Sequence, residues 1–393
     1  MSAQSKKVRV AVVFGGRSSE HEISILSARF VVASLDRNRF EPVLVGIDKE
    51  GHWRLEDEAF LLSQARDPRL VRLNAAAPSA RLSVEHTELT SAREAPRAEL
   101  AIHGETSPRA IDVVFPVLHG PMGEDGTIQG FFSLAGVPFV GAGVLGSAVG
   151  MDKAVMKRLL AEAGLPIVPH VTLRALEWER DRSAQLDAVL ASLGDAMRAS
   201  ALFVKPANLG SSVGVSKVHD RASLERGIAL AFEHDDKVIV EAGVVGVREL
   251  ECAVLGTLAS DPEGRGKPIA SRVGEVVVTH PDGFYSYDAK YVDEHGATTV
   301  IPANLTADEE REVRALAVQT FEALECDHLA RVDFFRGGDG KLYVNEINTM
   351  PGFTAISMYP KLFDASGIGA VELVSRLVDL ALERAARRAR LKT

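Results

Sequence analysis

Apolar residues recur along this chain with two periods, and the switches between them mark its elements. Residues 8 to 14, Val-Arg-Val-Ala-Val-Val-Phe, are an apolar run of strand length, and Ile23, Leu26, Phe30 and Val31 follow at helical spacing behind Gly15-Gly16. Ser19 and Glu22 have the spacing of a capping box, so this helix is expected to begin near Ser19. Strand-type runs return at 40 to 48 and 111 to 118, followed by a helix through Leu134 and a strand at 137 to 140. This is the rhythm of a doubly wound α/β domain. Residues 61 to 110, rich in Ala, Arg and Pro with weak periodicity, are expected to be peripheral connections. Residues 141 to 147 read as a glycine-rich linker, with a helix starting at Met151.

Beyond it the pattern becomes mostly strands. Runs at 202 to 206 and 215 to 218 flank a Gly- and Ser-rich loop, and further strands are expected at 237 to 241, 249 to 255 and 271 to 279. Thr306 and Glu309 cap a helix reaching Leu324, and a closing helix follows Gly367. The segment 281 to 300 is a long loop, and loops of that length inside a compact domain usually carry function. The expected organisation is α/β and α+β, with domains at 1–141, 142–241 and 242–393.

The most informative stretch pairs a run at 331 to 336 with one at 341 to 348 through Gly337-Gly-Asp-Gly340. With Asp339-Gly340 as a two-residue type I′ turn, Asp333 stands opposite Glu346 and Arg331 opposite Asn348, all four on one face. Two carboxylates directly opposite each other repel unless a cation lies between them. A hard divalent ion held by carboxylate and amide oxygens is one resolution, Arg331 as counter-ion to Asp333 a second, and a solvated charged edge a third.

Composition narrows the field. With 46% hydrophobic and 25% charged residues the 393-residue chain is an ordinary globular one, and its net charge of −9 offers no footprint for nucleic acid or an anionic membrane. No apolar h-region precedes the first strand and no apolar run is long enough to span a bilayer, so the protein is expected to be cytoplasmic. Cys252 and Cys326 are read as buried reduced thiols, and the 11 histidines show no zinc-type clustering.

Several further positions carry chemistry. The Gly15-Gly16 turn lacks the G-x-G-x-x-G fingerprint, which removes the dinucleotide reading. Glu20, His21 and His119 instead stand just past the carboxyl ends of strands, where open α/β sheets bind ligands; Glu20 and His21 read equally well as a first-turn acid and a solvent-facing imidazole. Lys153, in the first turn of a helix, opposes the macrodipole and invites an anion. Lys205 sits mid-strand in an apolar run, beside a loop at 207 to 214 that suits either a phosphate cradle or a plain hairpin. Glu241 ends its strand as an adenine hinge would, or as any strand exit does.

Taken together, GGRSSEHEISILSA (15–28), HGPMGEDGTIQG (119–130), GMDK (150–153), FVKPANLGSSVGVSKV (203–218), YDAKY (287–291), ARVDFF and NEINTMPGFT resemble the D-alanine:D-alanine ligases of the ATP-grasp superfamily. The resemblance implies an ATP-grasp fold in which two domains clasp ATP below an N-terminal doubly wound domain. It implies phosphorylation of one D-alanine carboxylate by ATP, attack of a second D-alanine on the acyl phosphate, and a place in peptidoglycan precursor synthesis. By resemblance, Asp333, Glu346 and Asn348 hold Mg²⁺ or Mn²⁺, as two ions, with a monovalent cation as a further option. Arg331 and the Gly352 N–H would stabilise the oxyanion; Lys153, Lys205, Ser211, Ser212 and Lys290 would meet the phosphates; Glu241 and Glu249 would meet adenine and ribose. Glu20 would take the first substrate's ammonium, with His119 nearby, and would join Ser211 and Tyr291 in a latch, while Ser357 would hold the second substrate's carboxylate. A homodimer through the N-terminal domain is implied as well. Ala242 departs from the charged residue often found there, which leaves the contacts at 242 to 247 open.

The resemblance further implies a dipeptide product over a depsipeptide, since this chain keeps the Lys290-Tyr291 pair from which depsipeptide-forming relatives depart. A same-fold ligase taking D-lactate or D-serine second, and a non-catalytic nucleotide-binding homologue, are the alternatives. The second would be expected to have lost phosphate or metal ligands, and every matched one is present.

Overall fold

The computed structural model describes residues 6–64, 67–85, 97–102, 109–259, 266–279 and 297–391. Its N-terminal sheet is built on Val8–Gly15, which pairs in parallel with Phe40–Ile47 on one side and Val113–Pro116 on the other, while Trp53–Leu55 adds an antiparallel edge. Alternate residues of the first strand feed two cores: Val10, Val12 and Phe14 pack with Ile25, Val31 and Val32 of the helix His21–Ser34, and Ala11 and Val13 pack on the side of Phe132. A strand buried on both faces reads as the unbroken apolar run seen in the sequence.

Local details depart from expectation where side chains found other partners. The first helix begins at His21 with Glu20 at the N-cap and no capping box. Ser19 lies a residue too early, Glu22 pairs instead with Lys49 at 2.7 Å, and Ser24 stitches the turn by accepting from the Gly15 N–H at 2.7 Å and donating to the Val117 carbonyl. The stretch 61 to 110 is more than connections, because Ala80–Glu85, Arg97–Ile102 and Arg109–Ile111 form a three-stranded antiparallel sheet. The glycine-rich linker is largely a helix, Val144–Met151. A Cβ on its Gly146 would lie 2.5 Å from the Glu325 carbonyl, so that glycine serves close packing. The next helix starts at Lys153, two residues later than expected, because Asp152 caps it through the Ala154 and Val155 N–H groups.

Two antiparallel sheets follow. The central one runs Ser216–Val218, Leu202–Pro206, Lys237–Ala242, His170–Arg174, and the C-terminal one runs Ala297–Val300, Ile269–Val278, Arg248–Gly256, His328–Arg336, Leu342–Asn348. One face of the central sheet is apolar, with Leu202, Val204, Val238 and Val240 in a core. The C-terminal sheet buries Leu250, Cys252, Val332 and Phe334 against the helix Ala307–Ala323, whose Thr306–Glu309 capping box forms as expected. The opposite faces carry the polar residues. Both cysteines are free and buried, and burial pushes the Cys252 thiol up to about 12.

The crossing out of the N-terminal unit is anchored at Gly141. Buried Arg384 donates to the carbonyls of Phe139 and Gly141 at 2.6 and 2.7 Å, and the Gly141 N–H donates to His328 Nδ1 at 3.1 Å. Among the described residues no helix is long and apolar enough to cross a membrane.

Candidate active site

The hairpin carries the register expected at the site. Arg331 pairs with Asn348 and Asp333 with Glu346, yet the turn is not the expected two-residue one. The Gly337 N–H bonds to the Lys341 carbonyl and the Gly340 N–H to the Gly337 carbonyl, with Gly340 at φ +86°, so the loop is three residues long. That moves the pairing by one, and a bulge between Asp333 and Phe334 on one strand, which inserts Asn345 on the other, moves it back. Bulges beside active sites re-aim side chains. Here Asn345 also turns to the site, with Oδ1 3.5 Å from Lys205 Nζ.

Across three strands, Glu251 pairs with Asp333 and Asp333 with Glu346, a row of three carboxylates on one face. Arg331 grips Asp333 with Nε and Nη2 at 2.7 and 2.8 Å and reaches Glu251 at 3.0 Å. Burial works against its charge, but Asp333 and Glu251 hold the guanidinium well above its ordinary range. Lys153 Nζ lies 3.4 Å from Glu346 and donates to the Leu209 carbonyl at 2.7 Å. Among the described residues three anions thus face Arg331 and Lys153, with the Asn348 amide donating to Asp333 at 3.0 Å. An oxygen-rich cluster with surplus negative charge fits a hard divalent cation.

The central sheet supplies the opposite wall. Lys205 and Glu241 are diagonal neighbours on adjacent strands, and their side chains meet at 2.7 Å. The second Glu241 oxygen is 3.0 Å from the fully buried Lys157. Burial alone would raise Glu241, but Lys157 and Lys205 outweigh it and hold the carboxyl at about 2. Glu241, expected at the adenine, has its side chain enclosed by two lysines and is 2% exposed. Glu249 lies on the cleft face opposite Phe335 and acts on Lys205 electrostatically.

A cleft of about 350 Å³ opens between Ser18, Glu20, Gly120 and the loop residues Leu209, Gly210 and Val213. Ser211 and Ser212 on that loop both have left-handed backbone, φ +53° and +57°, and form the centre of a tight turn closed by the Val213 N–H on the Gly210 carbonyl at 3.2 Å. Beside Glu20 stands Glu124, which accepts the Gly120 N–H at 2.6 Å and is pushed up to about 8 by burial and then by the Glu20 charge. His119 is buried and bonded at both ring nitrogens, to the Met350 carbonyl and to Ser27 Oγ, each at 3.1 Å. Burial pushes it down, so it is a neutral tie between the two loops. Ser27 Oγ also accepts the Phe353 N–H, and Ser357 Oγ accepts the Thr354 N–H at 3.0 Å. A Cβ on Gly352 would lie 3.0 Å from Ser357 Oγ, so those two expected residues share one corner.

Glu20 lines the cleft with the loop that carries Ser211 and Ser212, and Lys153 joins that loop at Leu209 to Glu346. Arg331, Asp333 and Asn348 share the hairpin face with Glu346, and Lys205 meets Asn345 from the opposite wall. His119 ties to Met350, and Gly352 and Ser357 share one corner. Lys290 and Tyr291 lie outside the described residues. Sequence reasoning missed Lys157, Glu124, Glu251 and Asn345. Lys157 was legible as one helical turn beyond Lys153, and Glu251 as the strand neighbour of Glu249, while the bulge that aims Asn345 left no mark.

The family models for the D-ala D-ala ligase N-terminus and C-terminus match residues 9–142 and 159–379. The chain is 46% identical to D-alanine–D-alanine ligase A of Salmonella typhimurium, covering 98% of this chain and 99% of that protein. It is 44% identical to D-alanine–D-alanine ligase of Shouchella clausii over 98% of each. Among solved structures it resembles the D-alanine-D-alanine ligase from Coxiella burnetii, with TM-score 0.79, 34% identity and coverage of 98% of this chain and 96% of that one. VanG D-Ala:D-Ser ligase from Enterococcus faecalis follows at 0.77 and 32%, over 96% of this chain and 100% of that one. The polar cleft between two antiparallel sheets is thus that of an ATP-grasp fold, and the chain belongs to the D-alanine–D-alanine ligase family.

Proposed function

We propose that this chain joins two D-alanines at the expense of ATP, through a D-alanyl phosphate, for peptidoglycan precursor synthesis. The observation that carries the reading is the row Glu251–Asp333–Glu346, with Arg331 and Lys153, set across the cleft from Lys205. Asp333, Glu346 and Asn348 offer oxygens suited to Mg²⁺ or Mn²⁺, which would draw off phosphate charge when bound. Lys153 and Lys205 orient the triphosphate, and Glu20 takes the ammonium of the first D-alanine. Its carboxylate oxygen attacks the γ-phosphorus and ADP leaves. The free amine of the second D-alanine, whose carboxylate meets Ser357, then attacks the acyl carbon. Arg331 and the Gly352 N–H receive the oxyanion, and inorganic phosphate departs with the carboxyl oxygen it acquired. Preorganised donors of this kind contribute about 3 kcal/mol to a barrier.

The division at about residues 141 and 241, with the clasp formed by the second and third domains, belongs to the same reading. So do a cytoplasmic setting and a homodimer through the N-terminal domain, for which light scattering should give twice the 42.2 kDa of one chain. The test is ADP release with Mg²⁺-ATP and D-alanine alone, L-alanine alone, or D-alanine with D-lactate or D-serine, with products identified by mass. Turnover on D-alanine alone, yielding D-alanyl-D-alanine, is expected. ATP bound without D-alanine-dependent turnover would overturn the substrate assignment.

A further inference from the structure

Lys157 stands one turn beyond Lys153 on the helix Lys153–Glu162, so both lysines project from one face. Their fates differ. Lys153 reaches the carboxylate row, whereas Lys157 is 0% exposed and its ammonium ends 3.0 Å from one oxygen of Glu241. The other oxygen lies 2.7 Å from Lys205 Nζ, whose side chain keeps 12% of its surface exposed at the cleft, 3.5 Å from Asn345 Oδ1. A group that solvent does not touch cannot touch a nucleotide either. Whatever Lys157 does, it does through Glu241.

The charges define what that is. Two ammonium groups and one carboxylate leave the trio with a net positive charge, and a buried charge persists only when it is paired. Without Lys157, Glu241 and Lys205 would form a closed neutral pair, with the ammonium drawn toward the carboxylate from one side only. We propose that Lys157 is a positioning residue of the nucleotide site: by occupying one oxygen of Glu241, it leaves Lys205 its aim and its surplus charge for the triphosphate. This rests on the reading of the cleft as an ATP site. In support, Glu241 is ionised at any working pH, since the two lysines overcome the effect of burial. His170, cross-strand from Glu241, is pushed down by burial and by Lys157 and adds no cation.

The test is ADP binding by calorimetry together with ATP turnover, on the full chain. Lys157→Met should weaken ADP binding and raise the KM for ATP about tenfold, the lower end of what outer partners of a charged site contribute, with the KM for D-alanine changed less than about twofold. Lys157→Arg should restore both. In a Lys205→Met background, adding Lys157→Met should change ADP binding less than about twofold, because the group it acts through is gone. Should the Met variant fail to fold, Lys157→Gln, which keeps a donor but no charge, should show the same tenfold loss. Unchanged ADP binding, a full tenfold loss in the Lys205→Met background, or a KM for D-alanine rising in step would each overturn the proposal. A wild-type chain that binds no ADP would remove the ATP reading itself, and the inference with it.

Discussion

Glu241 and Asp333 lie on opposite walls of the same cleft, each held by basic side chains, and the two walls balance their charges in opposite directions. Around Glu241 there are two lysines to one carboxylate, nearly sealed from solvent. Around Asp333 there are three carboxylates to Arg331 and Lys153, with the Asp333 and Glu346 side chains 14% and 25% exposed. An excess of cation in low dielectric seeks an anion, and an excess of anion seeks a cation. A metal-bound triphosphate brings both. On the proposed function the sealed cluster would serve aim and the open one exchange, because only partly exposed carboxylates can trade a protein partner for a ligand.

That contrast breaks most visibly at the open wall. Asp333→Asn should lower turnover by on the order of 1,000-fold, several kcal/mol of lost charge stabilisation, while moving the melting temperature little, since Arg331 keeps Glu251. Equal turnover by Asp333→Asn and wild type would remove Asp333 from the chemistry. At the sealed wall the balance reverses. Glu241→Met leaves the buried Lys157 and the partly buried Lys205 facing each other and should cost about 3 kcal/mol of folding stability, read as a lowered denaturant midpoint at unchanged slope. A midpoint unchanged from wild type would mean that the trio is not a buried charge cluster in solution.

The smallest effect sharpens the comparison by pH. Burial and Glu20 push Glu124 up to about 8, so its contribution to stability is complete below 4.5, its ordinary value, and is lost as pH rises through about 8. Glu241, held at about 2, contributes in the opposite sense: its stabilisation is present above 4.5 and is lost as pH falls through about 2. In melting curves taken between roughly pH 5 and 8.5, wild type should lose ground steadily against Glu124→Gln, with no contribution from Glu241 over that window. Parallel curves would contradict the assignment at Glu124.

Much of this was readable from the sequence because the signals were local. The hairpin register came from strand pattern and turn residues, and the site pairing of Asp333 with Glu346 survived because a longer turn and the bulge that inserts Asn345 cancel. The Thr306–Glu309 box formed because Glu309 gives one oxygen to the Thr306 N–H while Arg336 takes the other, whereas Ser19 and Glu22 failed because the helix starts at His21 with Glu20 at its N-cap, a residue late for that pair. In the sheet at 80 to 111 the alternation was present, with Leu82 paired to Leu100 and Val84 to Ala98, but within a stretch rich in Ala, Arg and Pro whose few large apolar residues did not stand out. Gly146 reads as a flexible residue until its neighbour, the Glu325 carbonyl, is known. What stayed hidden depends on contacts across the chain. The place of Lys157 on the face of Lys153 was legible, but its partner Glu241 is known only once the strand Lys237–Ala242 is laid against that helix, and Glu124 has meaning only once its loop is folded over Glu20.

The central claim is that a carboxylate is activated by phosphate between these two walls. The most direct measurement is turnover with D-alanine carrying ¹⁸O in its carboxylate, followed by mass analysis of the released phosphate and ADP. The account predicts one ¹⁸O atom in each inorganic phosphate and none in ADP, because the attacking oxygen leaves with the phosphorus. Unlabelled phosphate alongside dipeptide product would contradict an acyl phosphate, and with it the roles given to Arg331, Lys205 and the carboxylate row.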